Sequence, residues 1–186
     1  MKFSATRSAI FALAATAVAV ATPVMAQVSF VGGAPMYPAK NIVENAVNSR
    51  IHTTLVAAVK AAGLVDTLAS PGPFTVFAPV NSAFAALPAG TVDTLLKPEN
   101  KGQLVKVLTA HVVPGNISAA NLRENIRANG GSYAMTTASG DTVTARAAGF
   151  AIQITDESGG TAFITQPDVN QSNGVIHVVN RVLVPK

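Results

Sequence analysis

Three histidines are the side chains here whose charge changes near neutral pH and which favour transition metals: His52, His111 and His177. A structural zinc site takes four nitrogen or sulfur ligands at short, regular spacings. The chain has no Cys, and no two of its histidines lie a few residues apart. Thiolate metal sites, disulfides and a cysteine nucleophile are therefore excluded, and no metal is expected. Serine chemistry needs a base and an orienting acid within reach of the hydroxyl. Ser132 and Ser139 have no such companions at a readable spacing, and no G-x-S-x-G elbow, phosphate loop, dinucleotide fingerprint or H-E-x-x-H occurs. Asp156 and Glu157 are adjacent, so on a strand they point to opposite faces and do not form an acid–base pair. The expectation is a protein without enzymatic activity and without a cofactor.

That leaves roles in packing and binding. His111 follows a helical stretch and precedes the apolar turn Val112-Val113-Pro114-Gly115. Its plainest role is a core histidine bonded to nearby backbone. The functional alternative makes His111, Val112 and Val113 a contact for a partner or ligand. His177 alternates with Ile176 and Val178, which places it in partly buried packing, and His52 is read onto a helix surface. Asp156-Glu157 reads as a solvated hairpin tip before Ser158-Gly159-Gly160. Asn116-Ile117-Ser118 and Asn170-Gln171-Ser172 read as turn and cap residues.

The elements that position these residues change character along the chain. Lys2 and Arg7 precede Ala9–Val20, which is apolar apart from Thr16, and Val24-Met25-Ala26 offers small or modest residues for cleavage. This is the pattern of a signal peptide over residues 1–26. Its apolar run is shorter than the ~20 residues of a spanning helix, so stable membrane insertion is not expected. The protein is expected to be exported, to the periplasm or the cell exterior. Loss of Lys2 and Arg7 lowers the formal charge from +4 to +2, and no basic stripe appears, which argues against nucleic acid as a partner. Residues 27–40, with Gly32, Gly33, Pro35 and Pro38, show no period and read as a flexible linker. Residues 41–186 suit a single domain.

Within that domain Asn41 caps a short helix over Ile42–Val47. Ile51, Leu55, Ala58, Val59 and Ala62 recur at helical spacing, and Gly63 suits the left-handed stop. Ser70-Pro71-Gly72-Pro73 breaks the chain before the strand Phe74–Ala78, which Pro79 ends. Asn81 or Ser82 caps a helix carrying Phe84, Thr91 caps Val92–Leu96, a helix covers Asn100–Ala110, and Ser118 caps Ala119–Ala128. Strands are expected over Tyr133–Thr137, Thr142–Ala147, Phe150–Thr155, Thr161–Thr165 and Val175–Val184. In the last, Ile176, Val178, Val182 and Val184 share one face. Helices early and strands late give an α+β class.

Three stretches in order carry a resemblance. Phe74-Thr75-Val76-Phe77-Ala78-Pro79-Val80-Asn81-Ser82-Ala83-Phe84 resembles the first signature box of fasciclin-type domains. Asn173-Gly174-Val175-Ile176-His177-Val178-Val179-Asn180-Arg181-Val182-Leu183-Val184-Pro185 resembles the second. Leu108-Thr109-Ala110-His111-Val112-Val113-Pro114-Gly115 is similar to the central Tyr-His segment. The resemblance covers residues 41–186 and identifies a single-domain secreted member of bacterial style. It implies a fasciclin-like wedge: a twisted β-sandwich with several small helices packed at one side. It makes Phe74, Val76, Phe77, Pro79, Asn81, Phe84, Gly174, Ile176, His177, Val178 and Asn180 structural residues. It also implies an interaction or adhesion module binding a protein, glycan or matrix partner, or alternatively a carrier of an apolar ligand such as a carotenoid. Two positions depart from the family's habit. Ala110 stands where Tyr often precedes the His, which weakens the receptor-contact role known for some animal members. Asn180 stands near a frequent Asp, so a buried ion pair is not expected there.

Overall fold

A computed structural model describes residues 28–186, so the segment read as a signal peptide lies outside the described residues. The chain opens with a hairpin of β1 (Ser29–Val31) and β2 (Ala34–Met36). Three helices follow: α1 (Ile42–Ala46), α2 (Thr53–Ala62) and α3 (Val65–Ala69). Strand β3 (Phe74–Pro79) leads to α4 (Asn81–Ala85), α5 (Thr91–Leu95), a 3₁₀ turn at Pro98–Asn100 and α6 (Lys101–Thr109). Then come β4 (Val112–Pro114), α7 (Ala119–Ala128) and five strands: β5 (Ser132–Thr136), β6 (Thr142–Ala148), β7 (Ala151–Thr155), β8 (Thr161–Gln171) and β9 (Gly174–Val179).

Seven strands form one mixed sheet in the order β4-β3-β9-β8-β7-β6-β5. Only β3 and β9 run parallel within it, with Phe74 opposite Gly174 and Ala78 opposite Val178. The sheet curls on itself. Ala138, just past β5, donates its N–H to the Val112 carbonyl of β4 at 2.7 Å, which draws the two sheet ends together. The result is the sandwich-like α+β architecture that the resemblance implied.

Alternation along β3 explains the two main cores. Val76 and Ala78 face α1–α3 and α6, where they meet Ile42, Val59, Leu68, Leu104 and Leu108. Phe77 faces the sandwich interior with Leu122, Ile126, Val143, Ile154 and Val179. Strand β9 divides in the same way, and all six of its residues are buried. Continuous burial is expected of a strand covered on both faces. A third, small cluster joins Ala83, Phe84 and Val182.

Several expectations need correction. The lead-in is not a linker where the structure describes it: Gly32 and Gly33 make a hairpin turn, and Val31 and Met36 are buried in the helix-side core. The last strand stops at Val179 instead of running to Val184. Val182 joins the Phe84 cluster, while Val184 is exposed. Strand β8 continues to Gln171 through two register shifts, the second of which spans Pro167 and Asp168. Asp168 has φ 56°, and such a bulge absorbs a proline that would otherwise break a ladder. Val80 and Gly90, not Asn81 and Thr91, occupy the cap positions of α4 and α5. The caps at Asn41 and Ser118 form as expected: Asn41 makes a capping box with Glu44, and Ser118 Oγ accepts from Asn121 N–H.

Candidate functional site

The signature residues form a scaffold around the β3–β9 pair. Phe74, Val76, Phe77 and Pro79 lie on β3, and Gly174, Ile176, His177 and Val178 lie on β9 beside them. Gly174 is required by close approach, because a Cβ there would run into the carbonyl of Phe74. Asn81 does not serve the helix it begins. Its Oδ1 accepts from Thr54 N–H at 3.0 Å and its Nδ2 donates to Arg50 O at 3.0 Å, which ties α4 to the start of α2. Asn180 Oδ1 accepts from Phe163 N–H at 2.8 Å, extending the β8–β9 ladder by one side chain. Phe84 packs into its small cluster. Asn173, just before β9, accepts from Ile42 N–H and donates to the carbonyls of Leu68 and Ser70.

All three histidines are buried. His111 is 2 % exposed: Nδ1 donates to Val107 O at 2.7 Å and Nε2 accepts from Leu183 N–H at 2.9 Å. Burial lowers its pKa to about 4, against the opposing pull of the Val107 carbonyl and of Asp156. His177 is fully buried, stacked on Phe77 at 5.8 Å between ring centres. Its Nε2 donates to Ile117 O at 2.8 Å, and Nδ1 accepts from Asp168 N–H at 3.2 Å. Burial lowers its pKa too, with the Ile117 carbonyl and Asp168 opposing. Both rings are thus neutral structural connectors. The expected contact formed by His111, Val112 and Val113 does not lie on the surface, since all three residues are interior.

His52 corrects the sequence reading most sharply. It is 4 % exposed rather than on a helix surface, and it sits with Val31 and Met36 of the β1–β2 hairpin around one cavity. Ser49 Oγ lies 2.9 Å from Nδ1, but Nε2 has no hydrogen-bond partner. Desolvation lowers its pKa, and a backbone hydrogen bond with Ala78 opposes this. His52 lines a cavity of about 110 Å³ with almost wholly apolar walls, among them Val31, Met36, Val59, Leu68 and Ile176. His111 and Val112 reach the same cavity from α6 and β4.

Asp156 is likewise not a solvated tip. Its Oδ1 accepts from Ser158 Oγ and Gly160 N–H, both at 2.7 Å, and Oδ2 accepts from Val184 N–H at 2.8 Å. The carboxylate fastens the chain end to the β7–β8 turn. Among the described residues, no group of three or more His, Asp or Glu side chains could hold a metal ion, and no helix is long and apolar enough to cross a membrane.

The outer surface carries a different feature. Phe150 is fully exposed at the two-residue turn between β6 and β7, where Gly149 takes φ 62°. Arg123 of α7 donates to the Phe150 carbonyl at 3.0 Å and steadies the turn. Phe150 was expected within a strand. The pair Gly149-Phe150 between alternating runs was the signal for a tight turn.

Comparison with known proteins agrees with this architecture. The fasciclin domain model matches residues 51–185. Protein sll1483 of Synechocystis sp. is 44 % identical over 191 residues, covering 100 % of this chain and 99 % of that protein. The immunogenic protein MPB70 of Mycobacterium bovis is 33 % identical over 201 residues, covering 98 % of this chain and 95 % of its own length. Among solved structures, a FAS1 domain pair from the insect cell adhesion molecule Fasciclin I superposes with a TM-score of 0.69 at 17 % identity. That match covers 78 % of this chain and 51 % of the insect chain, and it bears on the fold alone. With both boxes paired at the centre of the sheet and the family model spanning most of the sequence, the chain belongs to the fasciclin domain family.

Proposed function

We propose that this chain is an exported, non-enzymatic interaction module of the fasciclin type, acting in the periplasm or outside the cell on a protein, glycan or matrix partner. The observation that carries the reading is the division of labour between interior and surface. The signature segments are spent on the β3–β9 scaffold, and the histidines are enclosed. Phe150, by contrast, stands free at a hairpin tip beside Arg123. An exposed aromatic next to an arginine is the composition favoured at binding hot spots. The insect structure with the same fold comes from a cell adhesion molecule. Export is supported by Lys2, Arg7 and the apolar run Ala9–Val20. The test is deletion of the gene followed by surface-attachment and cell-aggregation assays, with complementation by the wild-type chain and by Phe150→Ala. Unchanged attachment on deletion, with no partner captured by the purified protein, refutes it.

A second reading, carriage of an apolar small molecule, is favoured by the cavity between the helices and the β3–β9 pair. Ligand sites are mostly apolar with a few placed polar groups. Purification from the native source, followed by an absorbance spectrum and mass spectrometry of the co-purifying material, tests it. A colourless protein free of lipid, even after ligand is offered, removes it.

A further inference from the structure

The helix side of the mixed sheet is packed over β3 and β9, where Val76 and Val178 meet α1–α3 and α6. Over β5–β8 the same side is open. Residues directly opposite in a ladder share a face, and neighbours along a strand take opposite faces. Ile164 and Val179 are paired and point into the sandwich, so Phe163 lies on the helix side. The ladder places Gln153, Arg146 and Ser132 there with it, as one row across four strands. A second row runs through Thr161, Thr155, Thr144 and Ala134. None of these residues is buried, and none belongs to a core cluster. The β1–β2 hairpin borders the face, where Gln166 Nε2 donates to Phe30 O at 2.9 Å.

The two rows are hydroxyl and amide in character, with one aromatic ring and one charge. Arg146 makes no ion pair among the described residues, where the salt bridge that forms is Lys106–Asp141. The acids at the neighbouring turns are engaged: Glu157 accepts from Thr142 N–H at 2.8 Å, and Asp141 accepts from Ser139 Oγ at 2.6 Å. A protein partner would need an apolar centre, which rows of threonine do not supply. A sugar ring offers a C–H face that packs on an aromatic, and a rim of hydroxyls that pair with amides and hydroxyls. Side chains along a row follow one another at about 4.8 Å, close to the length of one pyranose unit. An extended saccharide lying across the strands therefore meets one side chain per sugar. The unpaired guanidinium calls for a carboxylate, which it can hold through two parallel hydrogen bonds.

We propose that the open face of β5–β8 binds an extended acidic polysaccharide, with Arg146 on a uronate carboxylate, Gln153 and the threonine row on sugar hydroxyls, and Phe163 beneath the C–H face of a ring. This rests on the interaction-module reading above and names the chemistry of its partner. Charge complementarity sets the class, and the row spacing sets the direction in which the saccharide lies.

The experiment titrates the purified, ¹⁵N-labelled protein with a β-1,4-linked mannuronate hexamer and with the β-1,4-linked mannose hexamer, which lacks only the carboxylates. The mannuronate should bind about tenfold more tightly, the scale of one charge-assisted hydrogen bond, and added salt should narrow the gap. Amide shifts should concentrate on β6, β7 and β8. Arg146→Gln should abolish the preference, and Phe163→Ala should weaken both hexamers several-fold. Lys97→Gln, which removes the same charge from the exposed residue before the 3₁₀ turn, should change neither. If Phe163→Ala fails to fold, the wild-type shifts and Arg146→Gln decide. Equal binding of the two hexamers overturns the acidic class. Wild-type binding by both Arg146→Gln and Phe163→Ala, or shifts confined to other elements, overturns the site. Binding of neither hexamer, while deletion of the gene still abolishes attachment, overturns this inference and leaves the interaction module standing.

Discussion

The ring of His111 accepts the backbone N–H of Leu183 at 2.9 Å, a bond between residues 72 positions apart in the chain. It joins the end of α6 to the segment after β9, across the boundary between the two main cores. The partner at Nδ1 is the Val107 carbonyl, so the ring is held as the neutral Nδ1–H tautomer.

That arrangement makes stability depend on pH. Protonation at Nε2 would set two donors against each other. In the unfolded chain His titrates near 6.5. In the folded chain His111 titrates at about 4. Between these values the unfolded state binds the proton and the native state does not. Stability should therefore be full above about pH 6.5, fall as the pH drops through the window, and level off near pH 4. His111 alone accounts for about 3 kcal/mol, and the lowered values of His52 and His177 act in the same direction. Urea unfolding at pH 7.5, 5.5 and 4 measures it, and an unchanged midpoint contradicts it.

Asp156→Asn should loosen the chain end. The carboxylate accepts three hydrogen bonds, from Ser158, Gly160 and Val184. An amide turns one acceptor into a donor and sets it against a backbone N–H. A cost of about 1–3 kcal/mol is expected from one buried group losing its partner. Amide exchange at Val184 or at Gly160 should rise well above that at β9, and unaltered exchange at both positions speaks against the fastening role.

Gly174→Ala should be far more severe. The added methyl collides with the Phe74 carbonyl at the first rung of the parallel pair. A loss of about 3 kcal/mol or more is expected, in the range of strain at constrained backbone positions. A thermal melt within 2–3 °C of wild type, where about 1 kcal/mol already moves the midpoint by that much in a domain of this size, shows that the backbone yields.

Phe150→Ala should leave stability within about 0.5 kcal/mol, because its side chain buries nothing. Its expected effect falls on partner binding alone. Equal melting curves with reduced attachment fit the proposal, whereas equal attachment removes Phe150 from the contact.

Local signals in the sequence were read correctly where the physics is local. Asn41, Ser118 and Gly63 mark helix ends through a few neighbouring atoms, and the structure uses them so. The pairing of Phe74–Pro79 with Gly174–Val179 is not visible in periodicity, which registers only local alternation; the resemblance gives the sandwich class, and the structure gives the pairing. Gly32, Gly33 and Pro35 serve a tight hairpin as well as they would serve a linker, and only the burial of Val31 and Met36 separates the two. His52 reads as a surface position from helical spacing alone, which carries no sign of Val31 and Met36 packing around the same cavity. The strand expected over Thr161–Thr165 runs on past Pro167, because the neighbouring bulge at Asp168 lets β8 continue and turns that carboxylate onto Ala119 N–H at 2.7 Å, at the start of α7.

The place of β9 sets the timing of maturation. This strand follows the other six of its sheet in chain order, yet it sits between β3 and β8 and contributes to both main cores. A chain still held by a ribosome upstream of Val179 has a gap where the middle of its sheet belongs. Stalled intermediates should stay protease-sensitive until Gly174–Val179 is free, and early resistance would show that the N-terminal half closes without it.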